Sequence, residues 1–286
     1  MIPGEIPDTR PAQTLTDIQN LLRTHGLLPK KRLGQNFLHD ANHMDQVVAA
    51  ARVGEGHVVL EVGAGTGSLS RRLLDAGARL VAVEIDADLE PILRQQLVEP
   101  FGGRVTLVIG DVLTGKHVIS LVVLDALASI GAAKFKLVAN LPYNIASPLL
   151  VNLAVDHPGM TDAVVMVQRE VAARLAAGPG TKVYGPLGVI VQAMCEVELI
   201  ATLAPTCFWP NPQVESAVIR LTRRSRPLTA DPARFGAFIH KVLHTPPKQL
   251  GTILGRDLNW PAGVEPVTRP EQLSIQQLVA LCDAVG

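Results

Sequence analysis

Cysteine is scarce in this chain and follows no pairing pattern: Cys195, Cys207 and Cys282 are widely spaced and form no Cys-x-x-Cys motif. That spacing indicates neither a disulfide framework nor a zinc site, and it makes a reducing cytoplasm the expected setting. An excess of either charge is missing as well. The 26 basic and 26 acidic side chains give a formal net charge of zero, whereas a protein that grips nucleic acid usually carries a basic surplus. There is no long hydrophobic run. The longest, Val118 to Ile130, is too short to span a bilayer and contains Asp125. The first residues, with Pro3, Glu5, Pro7 and Asp8, lack the apolar core of a secretory signal. No internal repeat or low-complexity tract is present. The expectation is a soluble monomer with no membrane partner and no metal.

What is present suffices for a large buried core: 286 residues, of which 48% are hydrophobic. Short β-branched runs alternate with helical patterns at His57 to Val62, Arg79 to Ile85, Val105 to Ile109, Lys136 to Ala139, Ala163 to Gln168, Met194 to Leu203 and Ser216 to Leu221. This rhythm predicts an α/β protein with a mostly parallel seven-stranded sheet and helices on both faces. A Pro-rich loop without a helix separates the last two runs, so they pair as an antiparallel hairpin at one end of the sheet. Beyond them the strand signals stop. Asp231-Pro232 starts a helix through Phe235, Phe238, Ile239 and Val242, and Gln272 to Val285 reads as another. The predicted organisation is an arm over residues 1–29 with one amphipathic helix (Leu15, Ile18, Leu21, Leu22), a main domain over 30–221 and a small helical domain over 222–286.

Three patterns carry chemistry. Val58 to Gly67 is a strand running into Gly63-Ala64-Gly65-Thr66-Gly67, with Glu61 two residues before the first glycine. Its G-x-G-x-G spacing departs from the G-x-G-x-x-G of dinucleotide-binding loops. Next, Glu84 ends the following strand, where a carboxylate can accept from both ribose hydroxyls of a nucleoside, and Asp111 follows the third, placed to accept from an adenine amino group. Any one acid there is more often a helix N-cap than a ligand. Lastly, Asn140-Leu141-Pro142-Tyr143 follows a fourth strand. An exocyclic amine on an aromatic base is a poor nucleophile because its lone pair is delocalised into the ring. The Asn140 amide oxygen and the Leu141 carbonyl can hold such an amine with its lone pair aimed at a methyl donor. Pro142 stiffens the turn, and Tyr143 offers an aromatic face. The same four residues also suit an ordinary strand end entering a turn.

Taken together, these motifs resemble those of the ribosomal RNA adenine N6,N6-dimethyltransferases, which use S-adenosylmethionine, over roughly Leu15 to the end. The resemblance rests on Lys31 to Leu38, Glu61 to Gly67, Val83 to Asp86, Gly110-Asp111, Asn140 to Ile145, Gln168 to Ala172, Gly180 to Gly185 and Phe208 to Val218. It implies a Rossmann-like methyltransferase fold and assigns roles residue by residue. Asn36 and Leu38 would contact the methionine end of the cofactor, Gly63 would line its pocket, Glu84 would hold the ribose and Asp111 the adenine. Asn140 would bind the reacting centre, Tyr143 would stack on the base and Phe208 would pack near it. The implied reaction moves the sulfonium methyl to adenine N6, twice on each of two adjacent adenines in a hairpin loop near the 3′ end of small-subunit (16S) rRNA. The substrate would be that rRNA within a pre-30S or 30S particle. The macrolide-resistance methylases share the glycine loop and the Asn-x-Pro-Tyr element but act on large-subunit rRNA, and the segments at 168–172 and 182–185 look like the small-subunit group. A silent or retargeted homologue acting as an RNA-binding assembly factor is the alternative.

Two departures fall on the RNA side. Where the family carries a run resembling Gln-Arg-Arg-Lys-Thr-Leu-Arg, this chain has His244-Thr245-Pro246-Pro247-Lys248-Gln249-Leu250-Gly251, and Pro186 stands where an arginine often follows Tyr-Gly. Both remove donors suited to phosphate. Arg223, Arg224 and Arg226 are candidates to replace them.

Overall fold

A computed structural model describes residues 13–115, 118–243 and 248–285. The departure at His244 to Pro247 lies outside the described residues. Seven strands form the central sheet: β1 (Val58–Val62), β2 (Arg79–Glu84), β3 (Val105–Ile109), β4 (Phe135–Asn140), β5 (Met160–Gln168), β6 (Cys195–Leu203) and β7 (Ser216–Arg223). Their order is β3-β2-β1-β4-β5-β7-β6. The first five run parallel, and β7 is antiparallel to both β5 and β6. The terminal hairpin expected from the Pro-rich loop is therefore present.

Why this sheet forms follows from its two buried faces. Every residue of β1 is buried, as parallel strands covered by helices on both sides require. Successive side chains alternate between two cores. Leu60, Val62, Val81, Val83, Leu137 and Ala139 point to one, and Val59, Leu80, Ala82, Val138, Val164 and Met166 to the other. On the second face pack α1 (Leu15–Thr24), α2 (Ala41–Ala51) and α3 (Ser68–Asp75). The first face carries α4 (Leu121–Ser129), α5 (Ala146–Asp156), α6 (Arg169–Leu175) and α7 (Pro186–Met194). The run Val118 to Ile130 is split between a short strand, Val118–Ile119, and α4.

The C-terminal helices α8 (Pro232–Leu243), α9 (Leu250–Leu254) and α10 (Ile275–Val285) continue the first core, with Phe235, Ile239, Leu278 and Leu281 buried in it. Helix α8 starts where Asp231-Pro232 predicts, and Asp231 accepts a hydrogen bond from the Arg234 backbone. Helix α10 starts later than the periodicity suggests. Ser274 and Gln277 form a reciprocal cap there, which sets the boundary more firmly than the apolar spacing does. Pro186 likewise has a local use as the first residue of α7, where its missing N–H costs nothing. No helix among the described residues is long and apolar enough to cross a membrane.

Candidate active site

Strand order reverses between β1 and β4, and in an open parallel sheet ligands bind at such a point, beyond the carboxyl ends of the strands. A cavity lies there. The pairing register explains which residues reach it. Leu60 is opposite Leu137, so three residues further on Gly63 faces Asn140. Val62 is opposite Val83, which brings Glu84 beside the same glycine, and Glu84 is opposite Ile109, with Asp111 just beyond. The cavity walls accordingly include Asn36, Leu38, Glu61, Gly63, Glu84, Asp111, Asn140 and Pro142.

The glycine loop is shaped for close approach. Gly63 sits at φ +81°, and a Cβ there would meet Pro142 Cδ at 3.3 Å; at Gly65, φ +60°, it would meet the Phe37 ring at 3.2 Å. Side chains would push the loop away from both neighbours and fill the cradle. Glu84, 4% exposed, accepts from the Gly65 N–H at 2.8 Å and the Asp86 N–H at 2.9 Å, one bond on each oxygen. Burial pushes its carboxyl up from the ordinary range and those two backbone donors oppose the shift. A carboxylate has about four lone-pair sites, so capacity remains for two ribose hydroxyls. Asp111 accepts from the Leu113 N–H through Oδ1 and is exposed.

At the reacting end, the Asn140 side-chain N–H donates to the Asn36 backbone carbonyl at 2.9 Å. This fixes the amide so that its oxygen is the group left for a ligand. Leu141 is 1% exposed, and its N–H donates to Met166. Tyr143 is half-buried, its hydroxyl 2.7 Å from Ser216 Oγ, and it does not line the cavity. Nor does Phe208, which is 1% exposed in the second core. Its backbone instead pairs with Leu38 in a short antiparallel ladder. The structure thus gathers the cofactor set and Asn140 around one cavity, and leaves the two aromatic side chains behind or beside it.

The motifs assign no role to several residues that support or build the walls. Glu61 is 1% exposed and takes a 2.5 Å hydrogen bond from the Ser70 hydroxyl; burial pushes its carboxyl up to about 8, against the Ser70 bond. Gln13, from the arm, bonds the Thr66 hydroxyl and carbonyl and the Ser68 hydroxyl. Lys30 and Gln35 both bind Asp86. The only sequence signal for these is their position inside or beside motifs whose other members face the ligand. Among the described residues, Asp40, His43 and Cys207 bring one donor atom each within 4.8 Å of one another; Asp40 there caps α2 by accepting from the His43 N–H.

The basic residues of β7 are used differently from the expectation. The Arg223 guanidinium donates to the carbonyls of Leu153, Ala154, His157 and Met160, satisfying the end of α5. Arg224 donates to Gln192 near the end of α7 and pairs with Glu196 at 3.1 Å. Arg220 pairs with Glu198 at 2.6 Å across the ladder. These three arginines serve the fold, which corrects the reading of Arg223 and Arg224 as a substitute phosphate grip.

A cavity at the switch point of the sheet, walled by a glycine loop, acids at successive strand ends and the asparagine of an Asn-Leu-Pro-Tyr element, is the arrangement of an S-adenosylmethionine-dependent methyltransferase. The comparisons narrow the class. The model of the ribosomal RNA adenine dimethylase family matches residues 27–284, and the chain belongs to that family. It is 38% identical over 283 residues to a ribosomal RNA small subunit methyltransferase A of Phenylobacterium zucineum, covering 95% of this chain and 93% of that one. A protein of the same name from Cutibacterium acnes is 37% identical, covering 91% and 90%. In fold, the chain is similar to 23S rRNA methyltransferase ErmE (TM-score 0.65, 24% identity, 87% of this chain and 99% of that one). It is also similar to a dimethyladenosine transferase of Plasmodium falciparum (TM-score 0.63, 24% identity, 77% and 75%).

Proposed function

We propose that the chain dimethylates N6 of two adjacent adenines in a hairpin loop near the 3′ end of 16S rRNA, within a pre-30S or 30S particle in the cytoplasm. The observation that carries the chemistry is the Asn140 amide, held by the Asn36 carbonyl at the rim of the glycine-loop cavity. The curated relatives named as small-subunit enzymes support the choice of substrate.

The residues present fit the cofactor. Glu84 would hold the ribose, Asp111 the adenine amino group, and Gly63, Asn36 and Leu38 the methionine end. When bound, S-adenosylmethionine supplies an already activated methyl on sulfur, so alignment and electrostatics are what the protein must add. Asn140 Oδ1 and the Leu141 carbonyl accept from the two N–H bonds of the target amine. That draws the lone pair out of conjugation and turns it toward the methyl carbon. Attack by the nitrogen on that methyl would break its bond to sulfur, and the extra proton left on nitrogen would go to solvent because neither carbonyl is a base. After the first transfer one N–H remains, and a single acceptor is enough to orient it. Tyr143 and Phe208 would support the base from beside and behind. Movement of the half-buried Tyr143 would be needed for stacking.

The test is nucleoside analysis of unmethylated small subunits after incubation with the protein. N6,N6-dimethyladenosine at two neighbouring positions is the expected product. An assembly factor without turnover would bind the particle and leave both adenines unmodified.

A further inference from the structure

Asp86 lies outside the cavity walls, yet it is 5% exposed and sits at the centre of the contacts that build them. Its Oδ2 accepts from Gln35 Nε2 at 2.7 Å, and its Oδ1 from Lys30 Nζ at 2.5 Å and from the Asp88 N–H at 3.2 Å. Lys30 closes a ring by donating its own backbone N–H to Gln35 Oε1 at 2.8 Å. Gln35 is therefore held at both ends of its amide. The next residue is Asn36, whose carbonyl receives the Asn140 amide. On the other side, the Asp86 N–H donates to Glu84. One buried carboxylate thus ties the strand end that carries the ribose acid to the segment that orients the reacting-centre amide.

We propose that Asp86 is a positioning residue for methyl transfer, acting through Gln35 and Lys30 to fix the Asn36 carbonyl and with it the Asn140 amide. This rests on the methyl-transfer reading above. The physical reason is directional. An asparagine amide unheld on its nitrogen side can rotate and present N–H groups to the target amine, which are donors facing donors. A loss of about an ångström in placement is enough to cost a large factor in rate. A purely structural Asp86 would lower stability and leave the folded enzyme's turnover intact.

The experiment compares wild type with Asp86→Asn, Gln35→Ala and the double variant, at saturating cofactor and small-subunit particle and well below each melting temperature. The proposal expects kcat to fall at least tenfold in each single variant and the double variant to fall no further than the worse single, because both break one relay. A second readout needs no activity: hydrogen exchange of the Asn140 side-chain amide, assigned by its loss in Asn140→Ala. Exchange should be slow in wild type and at least tenfold faster in Asp86→Asn. Should Asp86→Asn fold poorly, Gln35→Ala carries the test alone, because it leaves the Lys30 pairs with Asp86 and Asp88 in place and should still lower kcat and speed the amide exchange. A lower melting temperature with kcat and amide exchange unchanged would overturn the proposal, as would kcat losses that simply multiply. Wild type that transfers no methyl would count against the rRNA reading, and the amide exchange would still decide the role of Asp86.

Discussion

On the β1–β3 side of the switch point three buried carboxyl groups, Glu61, Glu84 and Asp86, are each answered by hydrogen-bond donors from neighbouring segments. Glu61 meets Ser70, Glu84 meets the glycine loop, and Asp86 meets Lys30 and Gln35. On the β5–β7–β6 side the corresponding charges are arginines, and they are answered by helix ends and edge-strand acids. Arg223 caps α5, Arg224 reaches α7, and Arg220 crosses to Glu198. The first arrangement preorganises a small-molecule site, since Glu61, Glu84 and Gln35, each fixed by one of these bonds, line the cavity. The second stabilises a scaffold. A cationic patch in sequence is a nucleic-acid surface only if its guanidinium groups are not already spent on carbonyls.

The sharpest division between the halves is expected at Asn140. Asn140→Ala should reduce methyl transfer by a factor of about 10³ while cofactor affinity, read by calorimetry, falls far less, because the lost acceptor matters mainly in the transition state. Asn140→Asp should be nearly as damaging, since a carboxylate oxygen would face the Asn36 carbonyl in place of an N–H. A near-normal rate for Asn140→Asp would break the account of amide orientation.

Next in size are two single-residue tests that should behave oppositely. Glu84→Ala should weaken S-adenosylmethionine binding by about 2–3 kcal/mol, the worth of hydrogen bonds to a charged acceptor, with little change in particle affinity. Arg223→Ala should destabilise the fold by about 3 kcal/mol in urea melts, through unsatisfied carbonyls at the end of α5, and leave the salt dependence of particle binding unchanged. A flatter salt slope for Arg223→Ala would return it to the RNA surface.

Glu61 gives a pH test of comparable or smaller size. Its folded-state carboxyl is raised to about 8 by burial, so the folded protein holds a proton that the unfolded chain gives up near the ordinary value of about 4.3. The stabilising contribution is complete below that lower value and is lost as pH rises through about 8. Stability of the cofactor-free protein should therefore decline between pH 5 and pH 8 by an amount on the order of 3 kcal/mol, and Glu61→Gln should flatten that decline. An unchanged slope in the variant would mean that Glu61 is not the group responsible. The smallest effect is expected at Lys31 and Arg32, exposed beside the cavity mouth. Replacing both with alanine should lower the salt slope of particle binding by about 2, one per lost phosphate contact.

Much of the cofactor half was legible because its residues answer local rules. Strand alternation, the positive-φ glycines and acids at strand ends each have a short-range signature, and consecutive parallel strands bring them to one edge. The relay through Lys30, Gln35 and Asp86 was not legible, because it joins residues more than fifty positions apart through side chains that a motif shows only as identities. Arg223 and Arg224 were misread for a similar reason. Whether an arginine faces solvent or the end of α5 depends on tertiary packing that no local pattern encodes. Phe208 illustrates a third case: its place in the chain was assigned by resemblance, while its burial behind Leu38 follows from a two-residue ladder too short to read from periodicity. The division at residue 222 remains a proposal, since α8 and α10 share a core with α5 and α7.

The central claim is tested most directly by transfer of labelled methyl from S-adenosylmethionine to unmethylated small ribosomal subunits, with large subunits in parallel and Asn140→Ala as control. The account predicts label in N6,N6-dimethyladenosine of small-subunit rRNA alone, lost in the variant. Label confined to the large subunit, or none on either particle while the cofactor still binds, would contradict it.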